Sequence, residues 1–400
     1  MGAANSIEGL PHSAMLSNLV GNTLPVNAAK KNYEPEDKPR RTKIVATMGP
    51  ASWTDDMIPK MIDAGVNIFR LNCSHRRGGD FERVYPLIRK VAADKGVHVE
   101  VLGDLQGPKF RVGELASGPI VIKDGDVLEF GLAKDDGDKI KPGRITMFQT
   151  TEQIALMRGL NVGVTLLVDD GLIEVEVTEV KSPAEVLVKV VHGGTVKARK
   201  GVNVPDVMID CSALPEKDVE DAEYLLKLEP PVDYICVSFA QKGKDLQELI
   251  DIMDRLNVPA DKRPNICPKI EKPQALDNID EIMALSGSLM VARGDLGVEL
   301  GHAKVPFAQK LLVAAAKKAK LYPVIVATQM MESMIENPVP TRAECSDVAN
   351  AVFDGADATM LSGEAATGAF PEATVRMMGT VIREAEAALD TIAAAAKAAN

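Results

Sequence analysis

Polar and ionisable side chains follow most of the short apolar segments of this 400-residue sequence. They include Arg70, Asn72, Ser74, His75, Asp104, Ser238, Lys269, Glu271, Arg293, Asp295, Thr328, Gln329, Ser362 and Glu364. One lysine or glutamate after a strand is usually an exposed loop residue. Because such residues recur segment after segment, the pattern instead favours a single site assembled from many strand ends.

The residue types indicate a metal beside an amine. Glu271 and Asp295 supply hard oxygen ligands, and two carboxylates completed by water and substrate oxygens suit Mg²⁺ or Mn²⁺. Lys269 precedes Glu271 by two residues, so on an extended strand both side chains lie on one face. Arg70 adds a planar guanidinium that fits a phosphate or a carboxylate.

Uncharged groups complete the same set. Thr328 and Ser362 offer hydroxyls, Ser238 ends another apolar segment, and Gly294 allows backbone amides to approach an anion closely. A divalent cation, an ammonium, a guanidinium and amide donors around one point would stabilise a phosphoryl group in transfer. The sequence contains no P-loop, HExxH or GxSxG motif, so P-loop, zinc-protease and α/β-hydrolase chemistry are unsupported.

The charge balance argues against nucleic acid as a partner. Lys plus Arg number 46 and Asp plus Glu 57, giving a net charge of −11, whereas non-specific DNA binding needs many phosphate contacts. The five cysteines are scattered without a CxxC pair, as in a reduced cytoplasmic protein. No apolar run approaches the roughly 20 residues that cross a bilayer, so no membrane partner is expected.

An alternation of short apolar segments and amphipathic segments must position these groups. The predicted strands are Lys43–Thr47, Asn67–Leu71, Val97–Leu102, Asp233–Val237, Asn265–Lys269, Leu289–Ala292, Val324–Ala327 and Ala358–Leu361. The predicted helices include Thr54–Ala64, Phe81–Lys95, Glu216–Lys227, Lys244–Leu256, Asp277–Leu285, Pro306–Lys320 and Pro371–Ala388. This pattern predicts an α/β fold, a (β/α)8 (TIM) barrel. An open doubly wound sheet is the alternative, which the absence of GxGxxG after the first strand weakens.

Residues 108–212 interrupt the alternation with a period of two, as in Leu172–Val177, and with the turn Asp169-Asp170-Gly171. We predict a small all-β lid domain, a β-barrel, inserted after the third strand on the catalytic face. The predicted organisation is an N-terminal arm (1–40), two barrel parts (41–107 and 213–388) around the lid (108–212), and an Ala-rich tail (389–400).

At these residues the sequence resembles the pyruvate kinase family. The resemblance is carried, in family order, by segments starting at Lys43 (KIVATMGPAS), Phe69 (FRLNCSH), Gly103 (GDLQGPK), Lys200 (KGVN), Lys269 (KIE), Val291 (VARGDLG), Ala327 (ATQM) and Met360 (MLSGE). It implies the last step of glycolysis: phosphoryl transfer from phosphoenolpyruvate to ADP, giving pyruvate and ATP.

The resemblance also implies roles for residues. Glu271 and Asp295 would hold Mg²⁺, Lys269 would stabilise the phosphoryl group in flight, and Arg70 would hold the phosphate. Thr328, with Ser362 nearby, would help to deliver a proton through water to the enolate carbon. Substrate binding would involve Arg70, Ser238, Lys269, Gly294, Asp295 and Thr328. Nucleotide binding would involve Asn72, His75, Arg111 at the lid hinge and Lys200, with Asp169 on the lid and a second Mg²⁺ arriving with ADP.

The sequence departs from many family members at the monovalent-cation site. Those members bind K⁺ with groups matching Asn72, Ser74, Asp104 and the next carbonyl, that of Leu105, and carry a glutamate where this chain has Lys109. The ammonium of Lys109 could replace the charge of K⁺, so we expect activity without K⁺, as in the K⁺-independent branch.

The second departure is at the end of the chain. Family members usually continue into a C-terminal domain that binds effectors and forms one subunit interface. The sequence stops before such a domain, so we expect no response to sugar-phosphate effectors, and a dimer or monomer rather than a tetramer. Any homo-oligomer is expected to form through the barrel.

Two other functions remain open at this point. A Mg²⁺-dependent lyase, or another barrel enzyme that uses phosphoenolpyruvate, would explain the metal carboxylates but not His75, Lys200 or the lid. A non-catalytic binding or scaffold remnant would belong to another class of protein. A coupled assay for ATP formation separates the first alternative, and replacement of Lys269 by Met separates the second.

Overall fold

The computed structural model describes residues 39–76, 79–205 and 207–399, and the side chains of residues up to 394. Most of the predicted N-terminal arm (1–40) lies outside the described residues. Among the described residues, no helix combines the length and the apolar character needed to cross a membrane.

Eight parallel strands close into a barrel, which confirms the predicted fold class. The strands are β1 (Lys43–Thr47), β2 (Ile68–Asn72), β3 (Glu100–Asp104), β12 (Tyr234–Val237), β13 (Asn265–Ile270), β14 (Leu289–Ala292), β15 (Val324–Ala327) and β16 (Ala358–Leu361). Their order around the barrel is β1-β16-β15-β14-β13-β12-β3-β2. Inside the barrel, side chains such as Val45, Leu102, Cys236 and Met290 form a buried cluster, so the centre is a packed core.

Helices cover the outside of the barrel. They are α1 (Met57–Ala64), α2 (Asp80–Lys95), α4 (Glu216–Leu226), α5 (Gly243–Arg255), α6 (Pro273–Asp277), α7 (Ile279–Ala284), α8 (Arg293–Leu300), α9 (Val305–Lys318), α10 (Arg342–Asp354), α11 (Gly363–Ala366) and α12 (Pro371–Ala399). The predicted tail is not separate, because α12 runs through residue 388 to Ala399. Its alanines have high intrinsic helix propensity, so the sequence gives no signal to stop the helix there.

The third strand begins later than its apolar pattern predicts. The expected strand was Val97–Leu102, whereas β3 is Glu100–Asp104. Helix α2 ends at Gly96, which adopts φ 66°, and the Val97 N–H donates to the Ala92 carbonyl at 3.0 Å. Val97 therefore closes the helix as part of its C-terminal cap, and its side chain is 44% exposed.

The inserted segment is a β domain with one helix, α3 (Thr151–Gly159). Its strands are β4 (Ile120–Ile122), β5 (Val127–Leu132), β6 (Arg144–Met147), β7 (Thr165–Val168), β8 (Ile173–Ser182), β9 (Glu185–His192), β10 (Gly194–Val196) and β11 (Val202–Asn203). Six of them form the sheet β11-β7-β8-β9-β5-β6, and β10 pairs with β4. Buried side chains between Phe110 and Ile209 form a core separate from that of the barrel.

The predicted small β-barrel is only partly closed. No continuous ladder joins the edge strands β6 and β11 in the described residues. Isolated antiparallel bridges instead pair Val112 with Met147 and Arg111 with Gly201. The chain passes between the barrel and the inserted domain twice, outward near Arg111 and back near Gly201. These two crossings therefore run side by side, close to the carboxyl end of β3.

Candidate active site

A cleft of about 400 Å³ lies between the carboxyl ends of the barrel strands and the inserted domain. Most of the predicted site residues line it. They are Arg70, Asn72, Ser74, Asp104, Leu105, Lys109, Arg111, Asp169, Lys200, Ser238, Lys269, Glu271 and Asp295. The barrel thus brings together residues that are up to 225 positions apart in the chain, since Arg70 and Asp295 face one space.

Lys269 lies at the centre of this cleft, near the end of β13. Its Nζ is 2.8 Å from Glu271 Oε1 and 3.6 Å from Asp104 Oδ1, and it donates to Ser238 Oγ at 2.9 Å. Burial would lower the pKa of Lys269, but Asp104 and Glu271 outweigh it and raise the pKa above its ordinary value. Lys269 therefore keeps its positive charge at neutral pH.

Arg70 faces the same carboxylate as Lys269. The Arg70 Nε and Nη2 lie 2.7 and 2.6 Å from Asp104 Oδ2, and Nη1 donates to Thr47 Oγ1 at 2.9 Å. Burial would raise the pKa of Asp104, yet Lys269 and Arg70 lower it, so Asp104 is a carboxylate. This single acidic group holds two cations in fixed positions at the floor of the cleft.

Glu271 and Asp295 have the surroundings expected of cation ligands. Burial raises the pKa of Glu271; Lys269 opposes the rise, and the proximity of Asp295 adds to it. Burial likewise raises the pKa of Asp295; Lys269 opposes the rise, and Asp170, Glu299 and Asp104 add to it. A cation between two such carboxylates would relieve this cost.

The two oxygens of Glu271 have different partners. Glu271 Oε2 accepts the Phe239 N–H at 2.7 Å. Oε1 has Lys269 nearby but no hydrogen bond of good geometry. The described residues contain no group of three or more His, Cys, Asp or Glu suited to a metal. Glu271 and Asp295 line the same cleft, and this oxygen-only pair would suit Mg²⁺ or Mn²⁺ with water and substrate as further ligands.

Thr328 and Gly294 form a pair beside Asp295. The Gly294 N–H donates to Thr328 Oγ1 at 2.7 Å, and that hydroxyl donates to the Ala327 carbonyl at 2.6 Å. Thr328 has φ 73°, which is strained for a β-branched residue and typical of functional sites. The Gly294 amide is therefore bonded to Thr328 in this structure, and both groups lie just outside the lining of the main cleft.

The predicted monovalent-cation ligands lie together, and the oxygens of three of them, Asn72, Asp104 and Leu105, already have partners. Asn72 Oδ1 accepts the Ser74 N–H at 3.1 Å, and the Leu105 carbonyl accepts from Ser238 Oγ at 2.7 Å. Asp104 pairs with Arg70, as described above. Lys109 lines the same cleft, and burial followed by repulsion from Arg111 lowers its pKa to about 8.

A buried carboxylate holds the loop that carries these groups. Asp218, near the start of α4, accepts the N–H of Gln106 at 2.9 Å and that of Gly107 at 2.6 Å. Gly107 has φ 72°, and a Cβ there would lie 2.8 Å from Ser238 Cβ. Only glycine fits this close approach, which brings Lys109 over the cleft.

His75 and Ser362 lie in a second cavity of about 530 Å³. Arg70 and Asn72 line both cavities, so the two spaces meet at the end of β2. The second cavity is more apolar, because Met48, Pro50, Trp53 and Ala366 also line it. An extended ligand with a charged end and a flat apolar end would fit across the two spaces.

On the inserted domain, Asp169 pairs with lysines at the rim of the cleft. Asp169 Oδ1 lies 2.7 Å from Lys200 Nζ, and Oδ2 lies 3.4 Å from Lys197 Nζ. Burial would raise the pKa of Asp169, but the two lysines lower it. Arg111 donates to the Arg199 carbonyl at 2.8 Å, so it joins the two chain crossings.

Several cleft residues were not predicted from the sequence. Lys272, Glu299 and Asn203 line the main cleft, and Trp53 and Asp80 line the second one. A lysine following Lys-Ile-Glu, or a glutamate within a helix, has no distinguishing pattern. Asn203 is the last residue of the KGVN segment that resembles the family, and this was the signal available for it.

Comparisons with known proteins agree with this geometry. Residues 39–375 match the family described as pyruvate kinase, barrel domain. Curated pyruvate kinases from Agrobacterium vitis and Mycobacterium intracellulare are 44% and 42% identical over 87% and 86% of this chain, covering 68% and 70% of their own lengths. One from Sporosarcina psychrophila is 40% identical over 88% of this chain and 58% of its own length.

Comparison with a solved structure points to the same family. The crystal structure of a pyruvate kinase from Cryptosporidium parvum superimposes with a TM-score of 0.81 at 32% identity, covering 94% of this chain and 75% of that one. The chain thus belongs to the pyruvate kinase family of phosphotransferases, which convert phosphoenolpyruvate and ADP into pyruvate and ATP.

Proposed function

We propose that this chain transfers the phosphoryl group of phosphoenolpyruvate to ADP with Lys269 as its central catalytic residue. The observation that carries the proposal is the position of the Lys269 ammonium, within 4 Å of Ser238, Glu271 and Asp104. A fixed positive charge there matches the negative charge spread over a phosphoryl group in transfer.

Glu271 and Asp295 are proposed to hold a divalent cation, Mg²⁺ or Mn²⁺. When bound, the cation would neutralise charge on the carboxylate and phosphoryl oxygens of the substrate. The position of both carboxylates in one cleft and their raised pKa values support this assignment. A second Mg²⁺ is expected to enter with ADP.

Arg70 is proposed to hold the phosphate of phosphoenolpyruvate, and Ser238 and the Gly294 amide to help bind it. The Arg70 guanidinium is already oriented by Asp104 and Thr47, so binding costs little side-chain entropy. Asp104 does not contact the substrate in this scheme. It positions the side-chain cations of Arg70 and Lys269.

Thr328, with Ser362, is proposed to pass a proton through water to the enolate carbon, which gives pyruvate. The Thr328 hydroxyl is held by the Gly294 N–H and the Ala327 carbonyl. Ser362 is held through its N–H, which donates to Glu364 Oε2 at 2.7 Å.

The nucleotide is proposed to span the two cavities. Asn72 and His75 line the second cavity, while Arg111 and Lys200 line the main cleft from the inserted domain. The base would lie in the apolar second cavity, and the phosphates would face the cations of the main cleft. The inserted domain would act as a lid that excludes water.

A direct test uses Lys269→Met in an assay of pyruvate formation from phosphoenolpyruvate, ADP and Mg²⁺. We expect kcat to fall about 10²–10³-fold, the cost of removing one electrostatic stabiliser, while Mn²⁺ binding is largely kept. Lys262→Met is the control, since Lys262 is exposed and remote. Unchanged residual turnover in Lys269→Met would favour the scaffold reading, and absence of ATP formation in the wild type would favour the lyase.

Activity without K⁺ is proposed as well. The engaged oxygens of Asn72, Asp104 and Leu105 and the presence of Lys109 in the same cleft support it. The test is turnover in K⁺-free buffer against saturating KCl. A tenfold or larger drop without K⁺ would refute the proposal.

We further propose a homo-oligomer formed through the barrel, in the cytoplasm. Phe307 and Leu311, one turn apart on α9, are 68% and 50% exposed, and an apolar pair of this kind is typical of an interface. The five free cysteines suit a reducing compartment. Light scattering after size exclusion should show a dimer, and Phe307→Glu should shift it towards the monomer.

A further inference from the structure

Lys272 is a buried lysine that the roles proposed above do not use. It directly follows Glu271, and its side chain is 1% exposed. Its Nζ lies 3.0 Å from Glu299 Oε2, and the Glu299 side chain is 2% exposed. Removing both charges from water is costly, so a buried pair of this kind is weak evidence for stability and calls for another explanation.

The pair adjoins the two proposed metal ligands in the same cleft. Lys272 is the next residue after Glu271, and Glu299 is one helical turn beyond Asp295 on α8. The ion pair therefore ties the end of β13 to helix α8. A shift of either element would change the separation of the two carboxylates.

The same pair also holds the chain where it returns from the inserted domain. Lys272 Nζ donates to the Val204 carbonyl at 3.0 Å, and Asn203 Nδ2 donates to Glu299 Oε1 at 2.8 Å. Gln274, two residues after Lys272, donates to the Pro205 carbonyl at 2.8 Å. Both members of the pair thus contact the returning chain, Glu299 at the last residue of β11 and Lys272 at the residue that follows it.

The segment that enters the inserted domain is linked to Lys272 by the contacts of two aromatic rings, Phe110 and Phe239. Lys272 Nζ lies 4.9 Å from the centre of the Phe239 ring, and the Phe239 and Phe110 ring centres are 5.3 Å apart. The backbone N–H of Phe239 donates to Glu271, and Phe239 has φ 61°, a strained value for an aromatic residue. The two crossings are also bonded to each other, since the Val202 N–H donates to the Phe110 carbonyl at 2.9 Å.

We propose that Lys272 and Glu299 are positioning residues, a latch that couples the seating of the inserted domain to the geometry of the metal carboxylates. The latch consists of Lys272, Glu299, Asn203, Val204 and Phe239. When both crossings are seated on Lys272, the latch would hold Glu271 and Asp295 in fixed positions for a shared cation. The proposal rests on the metal role of these two carboxylates given above.

The test compares the wild type with Lys272→Met, Glu299→Gln and the double variant. A matched control removes an ion pair at the opposite end of the barrel, Lys43–Glu100, at 2.5 Å, as Lys43→Met with Glu100→Gln. Three quantities are measured: hydrogen exchange at the amides of Val112 and Val202, Mn²⁺ affinity by electron paramagnetic resonance, and kcat and KM. Val112 and Val202 report directly on the crossings, because they donate to Lys200 and Phe110.

In the single and double variants we expect exchange at Val112 and Val202 to rise at least tenfold and the Kd for Mn²⁺ to rise at least fivefold. We expect kcat to fall at least tenfold while the KM for ADP stays within twofold. The double variant should regain thermal stability, because no buried charge is left unpaired, yet it should not regain activity. Should Lys272→Met fail to fold, Glu299→Gln and the double variant give the same three readouts.

Wild-type values of exchange and Mn²⁺ affinity in the double variant, or recovery of kcat together with stability, would overturn the latch. Its failure is separable from failure of the proposed function. An inactive wild type whose exchange and Mn²⁺ affinity still respond to these changes would retain the latch and reject the phosphotransferase role.

Discussion

Lys109 lines the cleft, and its pKa is lower than that of an ordinary lysine. Burial, followed by repulsion from Arg111, lowers the pKa of Lys109 to about 8. In the free protein its ammonium is therefore lost as the pH rises through about 8, well below the ordinary range for lysine. If this charge takes the place of K⁺, its loss removes an attraction for an anionic substrate.

We expect kcat/KM for phosphoenolpyruvate to fall as the pH rises above about 8, approaching tenfold per pH unit. At saturating ADP and Mg²⁺ this ratio reports ionisations of the enzyme before phosphoenolpyruvate binds, so its pH profile under these conditions checks the prediction. Lys109→Arg, which stays charged, should shift the fall to higher pH. An unshifted alkaline limb in Lys109→Arg would assign the ionisation to another group.

Some residues of the cleft could be predicted from the sequence and others could not. Lys269, Glu271 and Asp295 were predictable as a group, because their positions at strand ends place them at one rim of any closed barrel. Lys272 was not predictable. Its burial depends on Glu299 and Val204, which lie 27 residues ahead and 68 residues behind in the chain.

At the scale of single elements, glycine allows helix α4 to pack tightly on strand β3. A Cβ on Gly103 would lie 2.3 Å from Leu225 Cδ1, and Leu225 is fully buried. An added methyl group would force Leu225 out of its rotamer or push α4 from the barrel, which costs about 1–3 kcal/mol.

Gly103→Ala should therefore lower the free energy of unfolding by roughly 1–3 kcal/mol, as measured by urea denaturation. Gly118→Ala is the control, because no atom lies within 4 Å of its added Cβ. Equal stability of the two variants would mean that β3 and α4 adjust without cost. Since α4 carries Asp218, a displaced helix should also weaken the hold on Gln106 and Gly107.

The elements were largely predictable from the sequence, and the exceptions have local causes. The bounds of β1, β14, β15 and β16 are those that the apolar segments predict. Val97 is apolar and was assigned to a strand, but its N–H completes the cap of α2. An apolar pattern reports burial and cannot distinguish a strand from the cap before it.

For the whole molecule, the two cores divide the chain into an independent barrel and an insertion. Apart from Phe239 at its edge, the core of the inserted domain contains only residues between Phe110 and Cys211. The division into two cores could be predicted from the change in hydrophobic period. How the inserted domain seats on the barrel could not, because the contacts that decide it, such as those of Lys272, are long-range and polar.

This division predicts that the barrel folds without the insertion. Arg111 and Gly201 form an antiparallel bridge, so their Cα atoms are about 5 Å apart and a two-glycine link can replace residues 112–200. We expect this deletion variant to unfold cooperatively by circular dichroism but to form no pyruvate, because Asp169 and Lys200 are absent and water enters the cleft. Mn²⁺ should still bind, more weakly than in the full chain, since Glu271 and Asp295 remain on the barrel. A variant that shows no cooperative transition would mean that the barrel depends on the inserted domain for its folding, and the two cores would then be one cooperative unit.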